Sequence, residues 1–594
     1  MTASGDRVEL SIIGHAFQAI AEEMGANLVR SAFSTVIREA RDCSTALLDT
    51  EGRVVAVSAM LPMQTVALSM AFEGARRAVD LRRLTPTSAI ILNDPHFGGQ
   101  HLNDLILFQP IFCDGALIGY SGSTAHHIDI GGATAGVNTG ATELIQEGLV
   151  LPPLLFDVGS DWHGGMIEKL IARNVRMPEV VLGDLNAQFA ANHIGIVRVT
   201  DLVRRRGADT VRAAMTQILD YGERRMRNAL RSIPNGRYSG EAKTDPEEVT
   251  GHPITIRVEA EVTDGRVHMD FAGSDPQVRS MMNCPLASSM AAALSAVRCL
   301  ISERDIPWND GCNRAVTAAF PAGSVLNPHS TAPVRARATV AYRAFDAVHS
   351  ALAAAMPERV PAEAFNTTTA LYLTQSRPDG STRVHADIFG GGFGAAPNYD
   401  GASAVDCIMS NCRATPVEAV EQIHDHLRIR AFSLLRDSGG AGRWRGGMGF
   451  LREFEILDDD VVLNLYSDRF ATEPKGLAGG ANGTCGALTI TREGKTIDLP
   501  PTGGAQLQTG DIVSLRMGGG AGWGQPEQRQ IDAIEQDIAE GLISAQQASA
   551  DYGYNLSERD AKQLEADRSA AAHPQGFTAE VQSVRVKMRE REST

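Results

Sequence analysis

Histidine and aspartate side chains are concentrated in one stretch of the chain, residues 93–148. Four of the 15 histidines fall there, and the glycines around them favour tight turns. The set consists of His96, His101, His126, His127, Asp94, Asp104 and Asp129. Imidazole nitrogens and carboxylate oxygens are ligands that Zn²⁺, Mn²⁺ and Fe²⁺ accept in proteins. The stretch therefore predicts a divalent metal site, and a hydrogen-bonded polar loop is the alternative.

A predicted hairpin brings the two halves of this set together. Two strands joined by a tight turn are predicted within 105–122, and the second strand continues to the next two histidines. Because antiparallel pairing places the end of one strand beside the start of the other, His126 or His127 should lie next to His101 and Asp104. Successive strand residues face opposite sides, so only one of the pair points to the site, and the pattern leaves open which.

A carboxylate from earlier in the chain is a further candidate ligand. Asp42 stands where the first helical region gives way to a predicted hairpin, just before the apolar run 46–48. A carboxylate at the mouth of a strand is well placed to enter a cleft. By position alone, an aspartate that ends a helix or a turn is the alternative.

The elements that must position these residues alternate between helices and strands. Apolar residues at spacings of three and four predict a helix over 10–28, and an Asp- and Gly-rich turn between apolar runs predicts a hairpin over 43–59. Further helices are predicted at 65–84, 178–232, 288–300, 340–355 and 531–542, and further strands at 89–92, 254–262 and 266–271. The sequence predicts an α+β fold, a mixed multi-layer subunit with a Gly-rich β-region toward the C-terminus.

Changes in composition divide the chain into four predicted regions. An N-terminal α/β region (1–250) carries the metal-site motifs, and a central α/β region (251–427) follows. Short strands and glycine-rich turns, typical of antiparallel sheet, predict a Gly-rich β-region at 428–527. A C-terminal helical tail is predicted at 528–594.

Charge and composition exclude several classes of function. The 594 residues carry a net charge of −16, which argues against nucleic acid or an anionic membrane as the main partner. The chain has no apolar run long enough to span a membrane and no signal-peptide pattern at its start. The eight cysteines form no CxxC motif, so we expect reduced thiols in a cytoplasmic protein.

Glycine-rich motifs that suggest nucleotide binding fail on their context. The tripeptide Gly494-Lys495-Thr496 resembles the end of a P-loop, but Thr489 stands where the first glycine is required, and the segment reads as a hairpin turn. The glycine clusters 390–394 and 518–524 lack the strand–loop–helix setting of a dinucleotide site. We therefore expect that this chain by itself binds no nucleotide.

Ordered motifs along nearly the whole chain resemble the hydantoinase B family. Within the metal-site stretch they read NDPxxxGxHxxD, AHHxDIGG and ATExxQEGLxxPP. Further matches are AIAEEMGANLVR at 19–30, DFAGSDPQVRS at 270–280, MPERV at 356–360, DIFGGGFGA at 387–395, GGAGRWRGGMG at 439–449, SDR at 467–469, KGLAGG at 475–480 and GGGAGWGQP at 518–526. This family contains subunits of N-methylhydantoinases, caprolactamase, and acetone and acetophenone carboxylases, and the matching half of 5-oxoprolinases.

The resemblance implies a subunit that works with a larger, actin-like ATPase subunit in a hetero-oligomer. That partner would use ATP and Mg²⁺ to phosphorylate the oxygen of a lactam, imide or ketone enolate, and this chain would receive the activated intermediate at its metal site. We therefore predict an ATP-dependent hydrolase of cyclic amides such as hydantoin, lactam or oxoproline rings. A subunit of a ketone carboxylase is the alternative, and a scaffold for the ATPase is a third interpretation.

The resemblance also assigns site residues, carried over motif by motif. The implied metal ligands are Asp42, His101, Asp104 and His126. The candidates for a general base, or for groups that support the ligands, are His127, Asp129, Glu143 and Glu147. Apart from the resemblance, residues that could shape the pocket are Asn283, Arg335, Arg337 and Asp387. The family commonly has Asp-Phe-Ser-Cys where this chain has Asp42-Cys43-Ser44-Thr45, so Cys43 is either a packing residue or a thiol close to the metal.

Overall fold

The computed structural model describes residues 3–58 and 60–555. The part of the predicted C-terminal tail beyond residue 555 lies outside the described residues. The helices are α1 (Ala3–Ser31), α2 (Thr35–Arg38), α3 (Pro62–Ala78), α4 (Val158–Asp161), α5 (Met166–Asn174), α6 (Pro178–Arg206), α7 (Ala208–Leu230), α8 (Leu286–Cys299), α9 (Asp310–Asn313), α10 (Arg337–Ala353), α11 (Val417–Ile423), α12 (Ile531–Glu540) and α13 (Ala545–Tyr552). Short 3₁₀ turns occur at Leu81–Arg83, Pro95–Phe97, Leu144–Gln146 and Pro526–Gln528.

The strands form several separate sheets. They are β1 (Cys43–Leu48), β2 (Val54–Ser58), β3 (Ser88–Leu92), β4 (Asp104–Cys113), β5 (Ala116–His126), β6 (Leu154–Asp157), β7 (Gly236–Pro246), β8 (Pro253–Thr263), β9 (Arg266–Asp270), β10 (Val316–Ala319), β11 (Thr369–Ser376), β12 (Thr382–Phe389), β13 (Leu427–Leu434), β14 (Phe450–Ile456), β15 (Val461–Tyr466), β16 (Ala487–Arg492), β17 (Lys495–Leu499), β18 (Thr502–Gln506) and β19 (Ile512–Met517). Helices and sheets together confirm the predicted mixed α+β class.

A six-stranded antiparallel sheet in the order β2-β1-β5-β4-β3-β6 carries the predicted metal-site stretch. Helices α1 and α6 pack against each other and against strands of this sheet. Helix α3 contributes Leu68 and Phe72 to a second apolar cluster, which also contains residues from the strands of this sheet. Because both faces are covered, β1, β2 and β3 are buried along their whole length. The buried sheet gives the polar residues at its strand ends a rigid support.

Three smaller sheets make up most of the remaining chain. They have the orders β10-β9-β8-β7, β12-β11-β15-β18 and β13-β14-β19-β16-β17. Strands β15 and β18, from beyond residue 427, pair in one sheet with β11 from the region before it. The boundaries at 250, 427 and 527 stay predictions, and at 427 hydrogen-bonded strands connect the two sides.

Several elements differ from their predicted bounds for local reasons. Helix α3 begins at Pro62 rather than Thr65, and it ends at Ala78 because Val79 leaves the helical conformation. The helical stretch predicted at 178–232 is two helices separated by Gly207, whose φ of 86° a non-glycine residue rarely adopts. Helix α13 lies within the predicted C-terminal helical tail, for which no separate helix bounds were predicted at this point; Ser544 caps it by accepting a hydrogen bond from the backbone of Gln547.

Glycines in the C-terminal half bring backbone segments into direct contact. A Cβ atom on Gly392 would lie 2.0 Å from the carbonyl oxygen of Gly447, and one on Gly446 would lie 2.0 Å from that of Gly520. Only glycine permits such an approach. Among the described residues, no helix combines the length and the apolar character that a membrane span requires.

Candidate metal centre

Neighbouring strands place three of the predicted ligands at one end of the sheet. Asp104 is the first residue of β4 and pairs directly with His126, the last residue of β5. Strand β1 lies on the other side of β5, and the backbone N–H of His126 donates to the carbonyl oxygen of Asp42 at 3.0 Å. The hairpin register predicted from the sequence therefore carries Asp104 and His126 to the same point.

The side chains of these residues converge with that of His101. Nε2 of His101 lies 3.1 Å from Oδ1 of Asp104, and Nδ1 of His126 lies 3.4 Å from the same oxygen. Nδ1 of His126 is also 3.5 Å from Oδ2 of Asp42. Among the described residues, His101, Asp104 and His126 form a group whose potential ligand atoms all lie within 4.8 Å of one another.

The cluster is buried, and part of its hydrogen-bonding capacity is unused. Oδ1 of Asp104 and Nε2 of His126 have no hydrogen-bond partner within the described residues. Leaving a buried polar atom unpaired costs about 1–3 kcal/mol. A cation shared by these atoms would remove that cost, and two imidazoles with carboxylate oxygens match the ligand preferences of Zn²⁺, Mn²⁺ and Fe²⁺. The residues present therefore fit a divalent metal ion.

The two histidines are held in the neutral form that binds metals. Burial lowers the pKa of His126 to about 4. Burial, helped by the charge of Arg337, also holds the pKa of His101 well below its usual value. A neutral imidazole keeps one lone pair for coordination near pH 7. In His101 that lone pair, on Nδ1, accepts from the guanidinium of Arg335, so coordination through Nε2 requires Arg335 to release Nδ1.

The two carboxyl groups have opposite pKa shifts. Burial and the neighbouring charge of Asp104 raise the pKa of Asp42 well above its usual value. Burial also acts to raise the pKa of Asp104, but His101 and Arg337 outweigh it and hold the pKa well below its usual value. Asp104 is thus the carboxyl group of the pair that ionises more readily, and a bound cation would favour ionisation of Asp42 as well.

Two arginines at the start of α10 complete the surroundings of the cluster. Nη2 of Arg337 donates to Oδ2 of Asp104 at 3.2 Å. Nη1 of Arg335 lies 2.8 Å from Nδ1 of His101, and its other terminal nitrogen hydrogen-bonds to the hydroxyl of Tyr372. Both arginines were predicted to lie near the pocket, and both guanidinium groups are buried in contact with the cluster.

The other two residues predicted near the pocket have different surroundings. Asn283 donates to the carbonyl oxygen of Pro333 at 3.0 Å and so holds the segment that leads into α10. Asp387 forms an ion pair with Arg452 at 3.1 Å and accepts the backbone N–H of Thr415. Asp387 thus serves a separate buried charge pair.

The structure decides which of the two adjacent histidines faces the cluster. His126 does so, whereas His127 turns to the opposite side of the sheet, where its Nε2 lies 3.0 Å from Oε1 of Gln188 on α6. Gln188 in turn donates to the carbonyl oxygen of Leu105 at 3.0 Å. His127 therefore joins helix α6 to the sheet.

Asp129 and Glu143 are not brought into the cluster. Asp129 accepts backbone N–H groups from Gly131 at 2.9 Å and from Met177 at 3.0 Å, which fixes the chain at the start of α6. Glu143 is exposed, immediately before the turn Leu144–Gln146. Their roles as a general base or ligand support remain predictions from the sequence.

Glu147 hydrogen-bonds to the backbone of the segment that carries Arg335. Its carboxylate accepts the backbone N–H of Val334 at 3.0 Å and that of Arg335 at 2.9 Å. Burial raises the pKa of Glu147 to about 7, although these hydrogen bonds oppose the shift. Glu147 thus positions the backbone from which Arg335 reaches His101.

The elevated pKa of Glu147 predicts a pH dependence of stability. Because its pKa in the folded protein, about 7, lies above the ordinary 4.5, the folded state binds this proton more tightly than the unfolded state. The folding stability that protonated Glu147 contributes is fully present below pH 4.5 and is lost as the pH rises to about 7. We expect Glu147→Gln to lose less stability than wild type over this interval. Melting temperatures across the interval measure this, and parallel curves would contradict the assignment.

Cys43 is a packing residue. Its side chain is buried in an apolar cluster with Leu28 and Ala187, and its Sγ lies 3.8 Å from Sδ of Met60. Burial raises the pKa of the thiol above its usual range, so the reactive thiolate is disfavoured.

A cavity of about 30 Å³ adjoins the cluster, and its walls come from distant parts of the chain. Its lining includes Asp42, His101, His126, Arg337, Tyr342, Thr368, Tyr372, Ser410 and Tyr466. Gln64 on α3 also belongs to the site, because its Nε2 donates to Oδ1 of Asp42 at 2.8 Å. Sequence reasoning missed Gln64 and the tyrosines, since neither carries a local motif.

The comparisons with known proteins place this chain in one family. The model of the family described as hydantoinase B/oxoprolinase matches residues 6–526, so the chain belongs to that family. The chain is 32% identical to the uncharacterized protein MJ0963 of Methanocaldococcus jannaschii, over 93% of this chain and 97% of that protein. It is 29% identical to the B subunit of a putative D-/L-hydantoinase of Pseudomonas sp. strain NS671, over 93% of this chain and 96% of that protein.

Longer relatives and solved structures agree with this placement. The chain is 32% identical to 5-oxoprolinase 1 of Arabidopsis thaliana, over 87% of this chain but only 42% of that protein. The crystal structure of ATP-dependent caprolactamase from Pseudomonas jessenii matches with a TM-score of 0.85 at 27% identity, over 95% of this chain and 99% of the other. Nucleotide-free acetone carboxylase, at 18% identity, matches in fold with a TM-score of 0.83, over 98% and 85% of the two chains.

Proposed function

We propose that this chain is the metal-binding catalytic subunit of an ATP-dependent hydrolase that opens cyclic amides. The observation that carries the proposal is the buried group of His101, Asp104 and His126, with Asp42 beside His126 and with unpaired atoms on Asp104 and His126. A putative hydantoinase, a caprolactamase and a 5-oxoprolinase among the relatives support a cyclic amide as the substrate. The first two of these relatives are named as subunits, which supports action together with a partner chain.

The proposed ligands are Asp42, His101, Asp104 and His126, for Zn²⁺, Mn²⁺ or Fe²⁺. When bound, such an ion supplies Lewis acidity: it polarises an amide oxygen and makes water acidic near neutral pH. Two arginines outside the group of proposed ligands hydrogen-bond to it: Arg337 donates to Asp104, and Arg335 donates to His101. These buried guanidinium groups also stabilise negative charge that develops on a reacting oxygen.

The partner in this proposal is a larger actin-like ATPase subunit that uses ATP and Mg²⁺. It transfers the terminal phosphoryl group of ATP to the amide oxygen and leaves ADP. At the candidate metal centre water then adds to the ring carbon, the carbon–nitrogen bond breaks, and the nitrogen takes up a proton. Overall two water molecules are consumed, one in opening the amide and one in releasing the phosphoryl group as phosphate.

The complex of this chain with its partner tests the proposal. We expect ADP release to accompany ring opening when the complex is given ATP with hydantoin, caprolactam or 5-oxoproline. A complex that carries the His126→Ala variant is the control, and it should form no ring-opened product. Incorporation of labelled bicarbonate into a ketone, with all three amides left intact, would contradict the proposal and establish the ketone carboxylase alternative.

A further inference from the structure

A pocket of about 530 Å³ lies beside the candidate metal centre. Its walls are the second half of α10, the segments 359–366 and 393–402, and the turn 475–477. Apolar groups, among them Phe345, Val360 and Phe393, contribute much of this lining. The volume is in the range of small-molecule sites in proteins, roughly 300–1,000 Å³.

Three segments line both this pocket and the 30 Å³ cavity at the metal centre. On α10, Phe345 and Asp346 face the pocket, whereas Tyr342 faces the cavity. The other two segments contribute Asn366 and Ile408 to the pocket and Thr368 and Ser410 to the cavity. The two spaces are therefore separated by a thin wall.

Hydrogen bonds close this wall. The hydroxyl groups of Tyr342 and Thr368 lie within 2.5 Å of each other, and the Thr368 hydroxyl oxygen is 3.2 Å from Sγ of Cys407. All three side chains are buried.

The sizes of the two spaces suit them to different occupants. A cavity needs roughly 10–15 Å³ to hold one water molecule, so the 30 Å³ at the metal centre have room for an ion or for one or two waters. A five- to seven-membered ring does not fit there, whereas the pocket on the other side of the wall accommodates it. In this structure the larger pocket is therefore the one of the two spaces that can hold a ring substrate.

The charges around the pocket favour an anion. Its carboxylates are already paired: Asp346 and Glu363 each lie 3.0 Å from Nη2 of Arg469, and Asp400 lies 2.7 Å from Nη1 of Arg529. Lys475 is exposed at the rim, and its ammonium group has no ion-pair partner within the described residues. Arg359 donates to the hydroxyl of Ser232 and likewise has no ion-pair partner among the described residues.

We propose that this pocket binds an apolar ring that carries a phosphate group. Such a ring is the chemical form of the activated amide, so the inference rests on the proposed function and names the binding site for its intermediate. The apolar walls contact the ring carbons, and Lys475 and Arg359 bind the phosphate.

Phenyl phosphate is a probe of this chemistry that requires no turnover. Titration calorimetry with the full chain should show binding, with benzyl alcohol and inorganic phosphate each binding more weakly. Lys475→Glu should weaken phenyl phosphate binding about tenfold or more, equivalent to about 1.4 kcal/mol, because it replaces an attraction for the phosphate by a repulsion. Lys495→Glu, at an exposed lysine of β17, is the matched control and should leave binding unchanged.

A second variant fills the pocket instead of changing its charge. Ser350 is exposed on α10 and lines the pocket, so Ser350→Trp should abolish phenyl phosphate binding and lower turnover of the complex, with its metal content unchanged. Ala550→Trp on α13, also exposed, is its control. Phenyl phosphate binding that neither Lys475→Glu nor Ser350→Trp weakens would overturn the inference. So would full turnover by the Ser350→Trp complex.

Failure of the two proposals can be distinguished. If the pocket binds phenyl phosphate as expected but no cyclic amide is opened, the pocket stands and the proposed hydrolase function fails. If amides are opened while phenyl phosphate does not bind, the hydrolase function stands and the pocket assignment fails.

Discussion

Replacing His126 by alanine is expected to abolish turnover, whereas replacing the adjacent His127 by alanine is expected to leave turnover per folded molecule intact. His126 lies in the ligand cluster, so its loss should reduce the rate on the order of 10³-fold or more. His127 contacts Gln188 on the other face of the sheet. Its removal leaves a buried amide oxygen unpaired, which costs about 1–3 kcal/mol of unfolding free energy.

Steady-state ADP release and ring opening by the two variant complexes measure this difference. Each variant removes one buried histidine at the same end of the sheet. Each is therefore the control for the general effect that loss of a buried side chain has on the other. Equal losses of turnover per folded molecule, or a greater loss in His127→Ala, would show that the reactive face of the sheet is wrongly assigned.

Replacing Asp104 by asparagine is expected to remove both activity and stability. The substitution removes the carboxylate that lies beside the two imidazoles, so we expect turnover to fall on the order of 10³-fold. It also leaves the guanidinium of Arg337 buried without its counter-charge, which costs about 3–5 kcal/mol of unfolding free energy.

The double variant Asp104→Asn/Arg337→Met separates these two effects. Methionine fills much of the arginine volume without a charge, so chemical denaturation should show that most of the lost stability returns. Turnover should stay at the level of the single variant, because the ligand carboxylate is still missing. Recovery of turnover together with stability would mean that Asp104 serves only to neutralise Arg337. Asp498→Asn, at an exposed aspartate, is the control for the single substitution.

The part of the site that local pattern determines could be predicted from the sequence. Two strands separated by a tight turn permit only a few registers, and the observed one pairs Asp104 with His126 as expected. The choice between His126 and His127 could not be made, because it depends on which face of the sheet receives α6. The partner of His127, Gln188, lies 61 residues further along the chain.

Long-range contacts explain what the sequence left out. The contact between Arg335 and His101 spans 234 residues, and that between Arg337 and Asp104 spans 233. No periodic pattern in the sequence indicates such pairs, and the two arginines could be predicted only to lie near the pocket. Gln64 has no chemical motif around it, and only the packing of α3 against the sheet brings it to Asp42.

The 58 glycines among the 594 residues also have a structural role that composition alone does not show. Glycine-rich segments such as 390–394 and 518–520 are hydrogen-bonded backbone to backbone, including the N–H of Gly392 with the carbonyl of Gly518 at 3.0 Å. These contacts leave no room for side chains, so the glycines mark close packing within the fold rather than flexible linkers.

Metal content is the most direct test of the central claim, that His101, Asp104, His126 and Asp42 hold a divalent ion. Wild type and variants would be loaded separately with Zn²⁺, Mn²⁺ and Fe²⁺, desalted, and measured by elemental mass spectrometry. We predict about one tightly held ion per chain for wild type and for His127→Ala, and none for His126→Ala. Folded wild-type protein that retains none of the three metals, or a His126→Ala variant that retains as much as wild type, would contradict the account.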